Sequence, residues 1–401
     1  MTRDMNKRMV RIKNILKHNR LIYVLYYYLF SFALRLLGVF VRTDNKTVLF
    51  TSYGGKKYDD SPRFIYRYLL DKDEYSDLKL VWAFSDPENF PDVTNKVKID
   101  TLKYFLTAIK AKYWITNSSC ARGLNFKKNA TINVFFTHGM TGIKKIGKDI
   151  ENTNNTYRQL FKERFDYIFI EGKEETPILE KAWGVDAKQL YLTGLPRNDD
   201  LAVVSSEEIR KIKDRLGIPL EKRVILYAPT FREDYTDSEN NNVLSIPLDF
   251  EKWEKALSDN YVLLITAHYE VEYLLNEIRS TQFVYNVFKY PVLNDLLKIT
   301  DILITDYSSI VFDFSILEKP IFCYGYDYDE YLRNRGTYTD LNSLFSHGVL
   351  RTEEELINQI KNINYEEECK YTREKIKDRF IHSYGDAAEK AVNIIFSHKE
   401  S

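Results

Sequence analysis

The 401-residue sequence has only three cysteines, Cys120, Cys323 and Cys369, far apart and odd in number. That excludes a disulfide framework and a cysteine-based metal site, and it fits a reducing compartment. Charge of one sign is lacking as well. The 58 basic and 58 acidic side chains cancel to a formal net charge of zero, so bulk charge points to neither nucleic acid nor an acidic partner. The six histidines form no HxH, HExxH or Cys/His cluster, and a protein-bound metal is not expected. No GxSxG elbow, P-loop or GxGxxG occurs; "SYGGKKYDD" (52–60) is glycine-rich without the spacing of any of them. Internal repeats and low-complexity tracts are missing too.

A chain of this length favours two domains and can bury large cores. Its 30 Tyr and 24 Phe suit packed α/β layers and say little about function. Only the N-terminus breaks the charge balance. Residues 1–20 carry seven basic side chains against Asp4, followed by the apolar run "LIYVLYYYLFSFALRLLGVFV" (21–41). The run is just long enough to span a bilayer. However, Tyr28, Ser31, Arg35, Gly38 and Arg42 fall on one helical face, with Lys13, Lys17 and Arg20 on the same face further upstream. A basic stripe beside a wide apolar side predicts a helix lying in the membrane interface, held by Lys13, Lys17, Arg20 and Arg35. A spanning signal-anchor and a buried core helix are the competing readings; no small-residue cleavage site follows residue 41.

Beyond residue 45, β-rich runs alternate with helical stretches: 47–52, 78–84, 113–117, 132–136 and 166–170, then 223–230, 261–268, 283–287, 301–306 and 320–325. "SPRFIYRYLL" predicts a helix capped by Ser61 with Pro62 at its first position. Alternation of this kind predicts parallel sheets covered on both faces. Two series predict an α/β chain of two Rossmann-like, doubly wound domains. The expected divisions are a basic amphipathic segment (1–44), a first Rossmann-like domain (45–200), a second (201–380) and a C-terminal helix and tail (381–401).

Ligands of open parallel sheets bind at the carboxyl ends of the strands. His138, Thr230, Arg232, His268, Asp306, Ser308 and Ser309 all follow strand ends, and they come from both halves. "TDYSSIVFDFSILEK" (305–319) opens a helix whose free N–H groups favour phosphate; equally, Ser308 and Ser309 would simply cap a buried helix. Asp306 and Asp313 would hold a hydroxyl or orient their neighbours. Arg232 in "YAPTFRED" suits bidentate phosphate binding. Arg197 in "TGLPRNDDL" lies at a tight turn that would serve a ligand or an interdomain joint. A lone histidine after a strand is usually structural. A pair from two domains, His138 and His268, suits one imidazole accepting a proton from an attacking hydroxyl and another assisting a leaving phosphate.

Taken together, "GGKKYDDSPRFIYRYL", "HGMTGIKKIG", "TGLPRNDDL", "LYAPTFRED", "AHYE", "TDYSSIVFDF", "YDEYLRNRGTY" and "YGDAAEKAV" resemble the CDP-glycerol glycerophosphotransferase family of teichoic acid and related polymer synthesis, from about residue 46 to 397. The resemblance implies a GT-B-like fold of two Rossmann-like domains around a cleft. It implies transfer of glycerol phosphate from CDP-glycerol to a hydroxyl on a membrane-linked acceptor, with release of CMP and no required cofactor. It places the base or acceptor-side catalyst at His138, followed by Gly139, and pyrophosphate stabilisation at His268. The donor's phosphates would lie on Ser308 and Ser309, assisted by Thr230 and Arg232, with Asp306 and Asp313 nearby. The implied setting is the cytoplasmic face of the cell membrane, peripherally bound. Two departures from the family pattern stand out: Thr137 and Met140-Thr141 around the first His–Gly, and Tyr269 after the second histidine. They would reshape the acceptor side. With no separate acceptor-tethering domain in the sequence, few additions are expected rather than many. A CDP-ribitol donor within the same family, a GT-B glycosyltransferase using a nucleotide sugar, and a non-catalytic scaffold are the alternative readings.

Overall fold

The computed structural model describes residues 19–150, 163–230, 247–266 and 280–397. Helix α1 (Arg20–Phe40) leads into β1 (Asp44–Thr51), α2 (Asp60–Leu70), β2 (Lys79–Phe84), β3 (Lys96–Lys98) and α3 (Leu102–Lys110). Then come β4 (Ala111–Thr116), β5 (Ile132–Phe136), β6 (Tyr167–Ile170), α4 (Glu175–Trp183) and β7 (Leu190–Leu192). The second half supplies β8 (Arg223–Ala228), β9 (Tyr261–Ile265), β10 (Val284–Asn286), β11 (Ile302–Thr305), α5 (Ile310–Ser315), β12 (Ile321–Tyr324), β13 (Val349–Leu350) and α6 (Ala387–Phe396). The strands form a seven-stranded sheet in the order β3-β2-β1-β4-β5-β6-β7 and a six-stranded sheet in the order β10-β9-β8-β11-β12-β13. The pairings between these strands are parallel, with Val48 opposite Leu80 and Tyr113 in one sheet and Leu303 opposite Leu226 and Ile321 in the other. Runs such as Val48–Phe50 and Leu263–Ile265 are buried throughout, as strands covered on both faces require.

The order of each sheet reverses once, between β1 and β4 in the first and between β8 and β11 in the second. These switch points are where open sheets leave a crevice for ligand. They put Tyr53 and Asn117 on one side of the molecule's cleft and Thr230 and Asp306 on the other. This is the two-domain, GT-B-like arrangement.

Three connections tie the halves. Met140 and Ile143, just after His138, are 2% and 1% exposed and belong to the core cluster of the second sheet, together with Phe312 and Phe380. The same loop pairs with residues 336–339: the Tyr338 N–H donates to the Ile143 carbonyl at 2.7 Å, the Lys145 N–H to Gly336 at 3.2 Å, and the Thr339 hydroxyl to Gly142 at 2.8 Å. Helix α6 returns to the first sheet, where Val392, Ile395 and Phe396 pack with Val48 and Phe50. The Asp199 carboxylate accepts from the Ala387 and Ala388 N–H groups at 2.8 Å each, closing the start of that helix.

Two local details differ from the sequence expectation. Helix α2 begins at Asp60 rather than after Ser61. Asp60 takes a left-handed backbone (φ 64°) and its carboxylate, not the serine hydroxyl, accepts the Ser61 N–H at 2.6 Å. In α1, the side turned towards the protein is mainly apolar: Tyr23 and Leu34 are buried, and Tyr26, Leu37 and Val41 pack beside Leu34 on a core cluster of the first domain, with Ser31 and Arg35 at its margin. The Asn125 N–H donates to the Ser31 hydroxyl at 2.9 Å, and the Arg35 guanidinium donates to the Asn125 carbonyl at 2.8 Å. The opposite stripe, with Leu21, Leu25, Leu29, Phe32, Leu36 and Val39, is exposed.

Candidate functional site

Between the two switch points lies a cleft of about 440 Å³ lined by His138, Thr230, Ser308 and Ser309 together with Lys57 and Arg335. His138 follows β5 and presents an open face to the cleft. Protein surrounds the rest of the ring, and burial holds its pKa below the ordinary histidine value, with Arg197 and Lys144 adding to the depression and Asp60 opposing it. The main chain of Asn117, beside the ring, also opposes the depression. A neutral imidazole with one free basic nitrogen is the outcome.

Gly139 brings that imidazole against the second domain. Its φ is +129°, and a Cβ there would lie 2.2 Å from the Ser309 Oγ. Only glycine allows the loop to rest on the residues that open α5.

Beneath the cleft, Arg197 joins the halves. Its guanidinium donates to both Asp313 oxygens at 2.7 Å and lies 3.4 Å from Asp60 Oδ2. The side chains are 11%, 5% and 1% exposed for Arg197, Asp313 and Asp60 respectively. Burial disfavours the Arg197 charge, but Asp313 and Asp60 more than offset it and raise its pKa well above the usual value. Burial likewise acts against the Asp60 carboxylate; Arg197, the Tyr53 hydroxyl and the Ser61 N–H together hold it below its ordinary value. Glu171, beside them, is driven well above the carboxylate range by burial and by Asp313. Asn198 completes the cluster, donating to Asp313 at 2.7 Å and to Glu171 at 2.6 Å.

The carboxylates expected near the donor are therefore engaged with protein. Asp313 belongs to Arg197 and Asn198. Asp306 accepts from the Thr230 N–H at 2.8 Å and from the Tyr307 N–H at 2.6 Å, which fixes the turn after β8. Of the two parts foreseen for these groups, their contacts favour orienting neighbours. His268, Arg232, Lys13 and Lys17 lie outside the described residues, and Arg20 opens α1. The cysteines stay apart, and the described residues contain no group of three His, Cys, Asp or Glu side chains suited to a metal ion.

Sequence reasoning did not single out Tyr53, Asp60, Asn117, Glu171 or Glu175. Glu175 is buried, and its carboxylate accepts from the Thr141, Glu171 and Gly172 N–H groups at 2.9, 2.8 and 3.2 Å. It anchors the loop that carries His138. The one available signal was the pair Asp59-Asp60 ahead of a helix, which reads as an ordinary start.

The profile of the CDP-Glycerol:Poly(glycerophosphate) glycerophosphotransferase family matches residues 33–397. The teichoic acid glycerol-phosphate transferase of Staphylococcus aureus (strain NCTC 8325 / PS 47) is 36% identical over 340 residues, 80% of this chain and 85% of that protein. The teichoic acid poly(glycerol phosphate) polymerase of Bacillus spizizenii (strain ATCC 23059 / NRRL B-14472 / W23) is 32% identical over 400 residues, 96% of this chain and 99% of that protein. A polymerase thus aligns with nearly the whole of this chain, and the length of the alignment gives no ground for expecting few additions rather than many. Among solved structures, the wall teichoic acid polymerase TagF, in a variant soaked with CDPG, superposes with a TM-score of 0.80 at 28% identity, covering 99% of this chain and 98% of that one.

Arg197→Met leaves two buried carboxylates without their cation, and a loss of about 3–5 kcal/mol is expected in urea unfolding; a loss below about 1 kcal/mol contradicts the latch. Glu175 supplies a pH test. Burial pushes its pKa from 4.5 up to about 7, so between those values the folded protein holds a proton that the unfolded chain has released. Its contribution to stability therefore falls as pH rises through that window. Glu175→Gln removes the titration, and the slope of Tm against pH from about 4.5 to 7 should flatten relative to the parent; an unchanged slope contradicts the assignment.

Proposed function

The chain belongs to the CDP-glycerol:poly(glycerophosphate) glycerophosphotransferase family, and from that premise we propose that it transfers glycerol phosphate from CDP-glycerol to a hydroxyl of a membrane-linked acceptor in teichoic acid or related polymer synthesis. The observation that carries this reading is the neutral His138, one nitrogen free, set by Gly139 against Ser309 at the opening of α5. The acceptor oxygen attacks the phosphorus that bears glycerol. A new P–O bond forms, the anhydride P–O bond breaks, CMP leaves, and the hydroxyl proton passes to His138. The donor's phosphates lie by Ser308, Ser309 and Thr230, where N–H and hydroxyl groups receive negative charge without reorganising. Positioning and charge neutralisation are what phosphoryl transfer asks of a protein. Arg232 and His268 are proposed to complete the donor side.

The exposed stripe of α1 suits the membrane that holds such an acceptor. The helix has the length and composition to cross a bilayer. Yet Ser31 and Arg35 bind it sideways to Asn125, which favours a helix lying in the interface with its apolar stripe towards the lipid. The enzyme would then work peripherally at the cytoplasmic face, where the CDP-activated donor is dissolved.

The test is CMP release from CDP-glycerol, in parallel with CDP-ribitol and UDP-sugars, on vesicles carrying a lipid-linked disaccharide. Release with CDP-glycerol is expected, and His138→Ala should lower it about 10²–10⁴-fold while leaving donor affinity nearly unchanged. Release only from a UDP-sugar would overturn the reading, as would full activity of His138→Ala. In the same assay Phe32→Glu should weaken co-sedimentation with the vesicles; unchanged binding removes α1 from the membrane contact.

A further inference from the structure

We infer that Asp60 is the positioning residue for His138, holding in place Tyr53, whose ring stands against the imidazole, and Asn117, and placing a negative charge beside the ring. The inference rests on His138 acting as the base. Asp60 Oδ2 accepts from the Tyr53 hydroxyl at 2.6 Å and from the Asn117 side-chain amide at 3.0 Å, while Oδ1 accepts the Ser61 N–H at 2.6 Å. The other end of the Asn117 amide accepts the Tyr53 N–H at 2.8 Å. Asn117 is thereby held at both ends of its side chain. The Tyr53 ring stands edge-on to the imidazole with centroids 6.4 Å apart. One buried carboxylate thus organises the ends of β1 and β4, the two strands of the first switch point, around the ring that follows β5.

The backbone shows what this arrangement demands. Asp60 and Tyr53 have φ of 64° and 48°, and both belong to the few non-glycine residues with positive φ in the described chain. Such conformations cost on the order of 1 kcal/mol or more each and persist where surrounding contacts over-determine them. Here the contacts are the hydrogen bonds just named.

A carboxylate bonded straight to the ring would favour the imidazolium strongly. The Asp60 charge, one residue removed, supplies the milder stabilisation that a ring needs as it takes a proton. The charged and titratable groups facing the ring are Asp60 and Tyr53 from the first sheet, Arg197 from the joint and Lys144 from its own loop, with Asp59 and Arg335 at the rim of the cleft. Removing the Asp60 charge leaves Arg197 and Lys144 in place, so the ring must become less basic.

Asp60→Asn keeps the size of the side chain while removing its charge and setting an NH2 group against one of its donors. With CDP-glycerol and the vesicle-borne acceptor, kcat should fall about tenfold to a hundredfold. The acid limb of the kcat/KM profile should move down by about half a pH unit to one unit, and the donor KM should stay within about twofold. A merely structural residue would lower the amount of active protein and leave the limb where it was. Asn117→Ala keeps the charge and removes the mount; it should lower kcat without moving the limb, and it decides the matter if Asp60→Asn does not fold. An unmoved limb in Asp60→Asn, or a parental kcat in Asn117→Ala, overturns the inference. The two failures are distinguishable: full CMP release by His138→Ala removes the base and with it the part assigned to Asp60, whereas a crippled His138→Ala beside an unmoved limb in Asp60→Asn overturns the inference alone.

Discussion

The buried guanidinium of Arg197 is the interaction on which the rest of the molecule's working geometry depends. It is shared between Asp60, from the first domain, and Asp313, from the second. Two carboxylates around one cation leave an excess of negative charge, and the third acid, Glu171, is pushed well above the carboxylate range by its burial and by Asp313. The cluster sits directly under the cleft. Through Asp313 it sets the position of α5, and through Asp60 it sets the residues that hold His138. A shift of either domain would separate the base from the phosphate-facing turn, and small misplacements of reacting groups are expensive in rate.

Chemistry and packing meet in one short loop. His138 points into the cleft, Gly139 touches Ser309, Met140 and Ile143 enter the second domain's core, and Lys145 pairs with Gly336. The departure at Met140-Thr141 falls in this anchoring stretch. Met140 is packed within the core, and the Thr141 N–H is bound by Glu175. These residues thus hold the loop in place while the imidazole remains free to act.

Much of this was legible in the residues. Continuous apolar runs separated by amphipathic stretches announced parallel sheets, and the rule about strand ends brought His138, Thr230, Ser308 and Ser309 together before any coordinate was known. The edge strands β3, β7 and β13 were missed because two or three residues carry no period to read. The Asp60 hub was invisible for a different reason. Its role depends on a left-handed backbone and on partners at 53, 117 and 197, which only the tertiary fold assembles. The stripes of α1 were legible; which side packs inwards was not, since Leu34 meets a core cluster built from distant segments and Ser31 meets Asn125. Asp306 and Asp313 look open in the sequence and are engaged in the structure for the same reason: their donors come from distant segments.

The central claim is that His138 rests in the cleft as a neutral imidazole, ready to accept a proton. Nitrogen NMR of the ¹⁵N-histidine-labelled full chain, with the signal identified by its loss in His138→Gln, addresses it directly. The account predicts a neutral ring at neutral pH and a titration midpoint below the ordinary value of 6.5. An imidazolium persisting to pH 7 would contradict it.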